Sequence, residues 1–167
     1  MLQTIKICTH AKNHNHYFRE SDTNHCGILQ KKERDTELPV IKMDSADHFP
    51  QNCDTIYADQ SFSFRALFSD NNELGSYTVD IHENFDHHSH STEAAECLVD
   101  QVKTPVNPFL FIKQFDIPEG KTEYLANQRI EVPDNIDPGD YHFIIRLIDK
   151  TGWQAIRGIS IKILESP

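Results

Sequence analysis

Pro138-Gly139-Asp140-Tyr141-His142-Phe143-Ile144-Ile145-Arg146-Leu147-Ile148 is the stretch whose reading decides the fold. Proline presets φ and Gly139 can take a positive φ, so residues 133–140 read as a turn. The apolar run behind it, residues 141–148, reads as a strand. Aspartate, glycine and tyrosine just before a strand suit a tyrosine corner, in which the Tyr141 phenol bonds back to the preceding turn.

Downstream, Asp149-Lys150-Thr151-Gly152 makes another turn, and residues 153–163 a closing strand. Ile159, Ile161 and Ile163 share a face there. Ile156 is out of phase with them, which a bulge near Arg157-Gly158 explains. Trp153 reads as core or as a lid on the end of the sandwich. Upstream, Phe62, Phe64, Ala66 and Phe68 alternate with mostly polar residues, as do Tyr77, Val79 and Ile81. That is the period-2 mark of half-buried strands. Val40-Ile41-Lys42-Met43, behind Pro39, reads as an edge strand, and residues 55–57, 107–112 and 124–132 as further strands. About seven short strands between Pro, Gly, Asn and Asp turns, with no convincing helix, predict an all-β antiparallel sandwich over residues 35–165. Residues 1–34 show no period and are expected to form a flexible tail, with neither the apolar core of a signal peptide nor a lipoprotein cleavage box.

The totals narrow the function. A net charge of −10 on 167 residues argues against nucleic acid and anionic membrane surfaces, which need a basic patch. No apolar run approaches the length of a transmembrane helix. The four cysteines, Cys8, Cys26, Cys53 and Cys97, form no C-x-x-C pair and have no zinc-finger spacing. Cys53 and Cys97 fall inside the patterned region, where an even pair suggests a disulfide and an oxidising compartment. Two unrelated buried thiols are the other reading.

Four of the ten histidines, His82, His87, His88 and His90, lie within Asp80-Ile-His82-Glu-Asn-Phe-Asp86-His87-His88-Ser-His90. Imidazole is the commonest side-chain metal ligand, so a transition-metal site competes here with a plain solvated loop. Asp70-Asn-Asn-Glu73 and Asp149-Lys-Thr-Gly152 can hold Ca²⁺ at the opposite end of the fold. Aspartates capping β-turns explain them more simply.

The residues Tyr77-Thr-Val-Asp80-Ile-His82-Glu-Asn-Phe-Asp86-His87-His88-Ser-His90-Ser-Thr92, with Asn107-Pro-Phe-Leu-Phe111, Pro138-Gly-Asp-Tyr-His-Phe143, Asp149-Lys-Thr-Gly-Trp153 and Gly158-Ile-Ser-Ile-Lys-Ile163, resemble an uncharacterised family. The resemblance is to exported lipoproteins of Bacteroidetes-type bacteria with a domain of unknown function. The resemblance implies an immunoglobulin-like sandwich and an extracytoplasmic place, in the periplasm or on the cell surface, with other envelope proteins as partners. It brings no activity with it.

In an immunoglobulin-like sandwich, the strands at residues 77–82 and 141–148 are antiparallel neighbours in one sheet. With Tyr77, Val79, Ile81, Tyr141, Phe143 and Ile145 turned inward, Asp80, His82 and His142 share the outer face. Opposed or diagonal positions then bring the β-carbons of His82 and His142 within roughly 4.5–8 Å. The loop after His82 can fold back with Asp86, His87, His88 or His90 as further ligands. Successive side chains of an extended segment diverge, which favours His88 and His90 over the adjacent pair His87 and His88. Nitrogen and carboxylate ligands without thiolate suit Zn²⁺, Cu²⁺ or Ni²⁺. Asp80 or Asp86 can instead orient an imidazole through its second nitrogen. The expected function is metal capture, delivery or sensing, with metal coordination by His82, His88, His90, His142, Asp86 and His87, a Cys53–Cys97 disulfide, and no catalytic motif. The alternative is a structural or adhesive surface module without a functional metal.

Overall fold

The computed structural model describes residues 35–88 and 97–167. The tail expected at residues 1–34 and the ligand expected at His90 lie outside them. Eight strands follow in order: β1 (Val40–Lys42), β2 (Thr55–Tyr57), β3 (Ser61–Ser69), β4 (Leu74–Glu83), β5 (Phe111–Asp116), β6 (Glu123–Glu131), β7 (Gly139–Asp149) and β8 (Gln154–Leu164). Among the described residues there is no helix. The strands build a three-stranded sheet, β1-β3-β6, and a five-stranded sheet, β2-β8-β7-β4-β5.

The two sheets face each other through the alternating side chains read from the sequence. Phe64, Ala66 and Phe68 of β3 and Ala126 and Ile130 of β6 meet Tyr77, Val79 and Ile81 of β4, Tyr141, Phe143, Ile145 and Leu147 of β7, and Ile159, Ile161 and Ile163 of β8. Aromatic rings carry much of the contact across the layer. Phe68 lies 4.9 Å from Tyr77 and Phe64 5.5 Å from Phe143, centroid to centroid. Each such side chain, once fully buried, contributes about 1.5–3 kcal/mol. An all-β sandwich is therefore what the alternation produces.

Three details differ from expectation. The pairing of β2 with β8 is parallel, because the chain leaves the first sheet after β1 and joins the second alongside its last strand. There is no bulge at Arg157-Gly158: β7 and β8 stay in register from Gly139↔Ile163 to Ile148↔Gln154. Ile156 simply faces outward, exposed, and the register shift lies between Leu74 and Ser76 on β4. The strand expected at residues 107–112 begins only at Phe111, since the backbone before it serves another purpose.

That purpose is the tyrosine corner, which forms as expected. The Tyr141 hydroxyl donates to the Asp137 carbonyl at 2.6 Å and accepts the Phe109 N–H at 3.1 Å. Cys53 and Cys97 are joined in a disulfide with their α-carbons 5.5 Å apart, which ties the segment before β2 to the chain returning toward β5. Cross-links of this kind stabilise a fold by about 2–4 kcal/mol.

Burial pushes the phenols of Tyr77 and Tyr141 up to about 12. In the unfolded chain a phenol ionises near 10. The stability these two groups contribute is therefore complete below about pH 10 and is lost as pH rises through about 12. Absorbance titration at alkaline pH should show two of the five tyrosines ionising late, accompanied by a falling urea midpoint. Five phenols titrating together near pH 10 in folded protein would contradict this packing.

Candidate metal centre

His82 is the last residue but one of β4, His142 lies near the start of β7, and the two are direct register partners. Alternation along each strand turns Ile81 and Tyr141 into the core, so both histidines take the opposite face. Their ring centroids are 5.3 Å apart. His142 is nevertheless only 1% exposed, although it was expected to point outward to solvent. The segment following β4 covers it.

Phe85 determines where that segment lies. It is the apolar side chain within the polar run 82–90, and it is buried edge-on against Tyr141 at 5.3 Å. The Asn84 N–H donates to the Asp140 carbonyl at 2.8 Å, and the Lys103 N–H donates to the Phe85 carbonyl at 3.1 Å. The Lys103 ammonium sits 4.2 Å from the Phe85 ring centre and bonds the Pro138 carbonyl. A β-carbon on Gly139 would come within 3.0 Å of the Phe85 ring, and φ there is +139°. Only glycine suits that position. Beyond the disulfide, the Asp100 N–H donates to Asp140 at 2.7 Å, while Lys162 bridges Asp100 and Asp140 at 2.7 and 3.2 Å. Both ends of the segment are thus fastened to the start of β7.

With Phe85 seated, the turn through His87, whose φ is 59°, delivers His88 onto the strand pair. The His88 ring lies 4.7 Å from that of His142 and stacks parallel to that of His82 at 5.8 Å. One ligand nitrogen from each of the three lies within 4.8 Å of the other two. A tetrahedral zinc ion at about 2.0–2.1 Å from each nitrogen needs them roughly 3.4 Å apart. His88 is the one member of the three that is not on a strand.

Carboxylates back two of the rings. Asp80 meets Nδ1 of His82 at 2.8 Å, and Asp86 meets Nδ1 of His88 at 2.5 Å. A carboxylate on Nδ1 settles the tautomer and turns Nε2 toward an ion, the usual support of a metal-binding imidazole. The bonds from the His88 ring and amide hold the Asp86 carboxyl below its ordinary range. His142 donates through Nε2 to the His88 carbonyl at 3.1 Å.

Of the residues expected at the site, His82, His88 and His142 are brought together. Asp86 stands behind His88, whereas His87 is exposed and outside the triad. Sequence reading missed the parts of Phe85 and Lys103 and read Gly139 only as a turn residue, whereas all three help to place the triad. The signal for Phe85 was present in its isolation among polar neighbours. Replacing Phe85 with alanine should cost about 3–5 kcal/mol in a denaturant titration, whereas His87→Ala should stay within about 0.5 kcal/mol of the parent.

A family model described as Domain of unknown function (DUF4625) matches residues 26–164. No curated protein matches the chain. Among solved structures it is similar to one named "GspB Siglec domain", with 17% identity and a TM-score of 0.45, over 80% of this chain and 60% of that one.

Proposed function

We propose a function on the premise that this chain belongs to the DUF4625 family, whose shared domain has no assigned activity: it is a non-catalytic transition-metal-binding protein that works outside the cytoplasm. The observation that carries the reading is the convergence of His82, His88 and His142, two of them backed by aspartates on Nδ1. Three imidazole donors without a thiolate select Zn²⁺, Cu²⁺ or Ni²⁺. The cysteines of this region are joined to each other and offer no thiolate. Asp80 and Asp86, bonded to Nδ1 of His82 and His88, serve to orient those rings. Capture, delivery or sensing of the ion suits such a site better than hydrolysis.

The disulfide supports an oxidising compartment, as for the exported lipoproteins of Bacteroidetes-type bacteria that the sequence resembles. The strand orders β1-β3-β6 and β8-β7-β4-β5 support an immunoglobulin-like layout, with β3 and β6 in one sheet and β4, β7 and β8 in the other. Among the described residues no helix is long and apolar enough to cross a membrane.

Isothermal titration of the untagged chain with zinc and copper salts tests the proposal. The parent should bind one ion per chain. His142→Ala should weaken binding by more than about 100-fold, and Asp80→Asn by about 10–100-fold, the range for a residue that only orients a ligand. His88→Ala should fall between them, because strand-borne ligands are held in place before binding and His88 is not. Binding should also fade in acid, where protons compete for the same nitrogens. An unchanged His142→Ala, or a parent that takes up no stoichiometric metal, would leave a structural or adhesive module in place of a metal carrier.

A further inference from the structure

At the other end of the β4–β7 pair, where Leu74 partners Asp149, a second cluster gathers from three distant segments. Asp35 precedes β1, Asp70 lies in the β3–β4 turn, and Asp149 ends β7. One carboxylate oxygen from each lies within 4.8 Å of the others. Asp35 and Asp149 are only 8% and 4% exposed. Among the described residues, no lysine, arginine or histidine forms an ion pair with any of the three.

Turn capping accounts for part of this arrangement. Asp149 Oδ1 accepts the N–H groups of Thr151, Gly152 and Trp153 at 2.8, 2.7 and 2.9 Å. Asp70 Oδ2 accepts the Asn72 N–H at 2.9 Å, and Asp35 Oδ1 accepts from Glu37 N and Asn71 Nδ2, both at 3.1 Å. It leaves two things unexplained. Among the described residues, Asp70 Oδ1 is buried with no hydrogen-bond partner. Thr151 Oγ1 sits 3.2 Å from Asp35 and 3.0 Å from Asp149, yet its single proton serves only one of those carboxylates at a time. Desolvated carboxylate oxygens facing like charges are costly unless a cation meets them.

We propose that Asp35, Asp70 and Asp149 form a calcium site, independent of the histidine triad. The donors are all hard oxygens, which Ca²⁺ takes six to eight at a time at 2.3–2.6 Å, with water completing the shell. Two ligands of one such ion can stand up to about 5 Å apart, so oxygens within 4.8 Å reach it without moving a strand. Magnesium, at about 2.0–2.1 Å, tolerates only about 4 Å. The bound ion ties the chain entering β1 to the β3–β4 turn and the β7–β8 hairpin. Trp153 reports on it, because its indole N–H donates to the Asp35 carbonyl at 3.1 Å and it is the one tryptophan in the chain.

The test uses the full chain, stripped with a chelator and titrated with calcium chloride. Trp153 fluorescence and thermal melting are followed, and calorimetry gives the stoichiometry. One ion per chain should bind, changing the fluorescence and raising the melting temperature. Asp70→Asn keeps the acceptor for the Asn72 N–H but removes a charge. It should bind calcium at least ten-fold more weakly while melting no lower than the parent in chelator. Asp35→Asn should show the same loss if Asp70→Asn does not fold, and His142→Ala should bind calcium as the parent does. A parent that does not respond to millimolar calcium, or a folded Asp70→Asn or Asp35→Asn that binds as the parent, would overturn the site.

Discussion

A phenol buried as completely as that of Tyr141 must find its hydrogen-bond partners inside the protein, and that requirement organises one whole end of the sandwich. The Asp137 carbonyl and the Phe109 N–H meet it, so the turn before β7 and the strap before β5 are held against each other. Gly139 leaves room beside the ring, and Phe85 fills it. Once Phe85 is seated, His88 has little choice but to lie over His142. A core interaction thereby fixes the geometry of the candidate site, and the His82 and His142 imidazoles inherit the rigidity of the strands that carry them.

The same two strands, β4 and β7, frame both candidate ion sites, one at each end. The chemistry of the ends differs in a way that keeps their ions apart. Imidazole nitrogens backed by carboxylates favour borderline transition metals, and bare carboxylate oxygens favour hard alkaline-earth ions. In each case strand-borne residues, His82 and His142 or Asp149, form a fixed part. Connecting segments then bring the rest, His88 at one end and Asp35 and Asp70 at the other. Ordering those segments on an ion would couple ion binding to stability at both ends.

Much of this was legible in the sequence. The period-2 runs around Phe64, Val79 and Ile161 identified strands and the faces they bury, because in a strand the direction of a side chain follows from local backbone geometry alone. The tyrosine corner was readable from Pro138-Gly-Asp-Tyr141 for the same reason. Ile156 misled because an exposed isoleucine looks like a break in phase, when one apolar residue on an outer face needs no explanation. Residues 107–110 misled because an apolar run does not reveal that its backbone is engaged elsewhere.

What the sequence determined by itself, then, is whatever depends on neighbours along the chain: the strands, their inward faces, the turns, and the outward side of each strand that carries His82 or His142. Tertiary structure alone decided that His142 is buried, that the loop lays His88 against the strand pair, and that Asp35, Asp70 and Asp149 converge from segments up to 114 residues apart, counting from 35 to 149. Those outcomes turn on contacts such as Phe85 against Tyr141 and Thr151 against Asp35. No local pattern encodes them, since each depends on which distant surface the folded sheets happen to bring within reach.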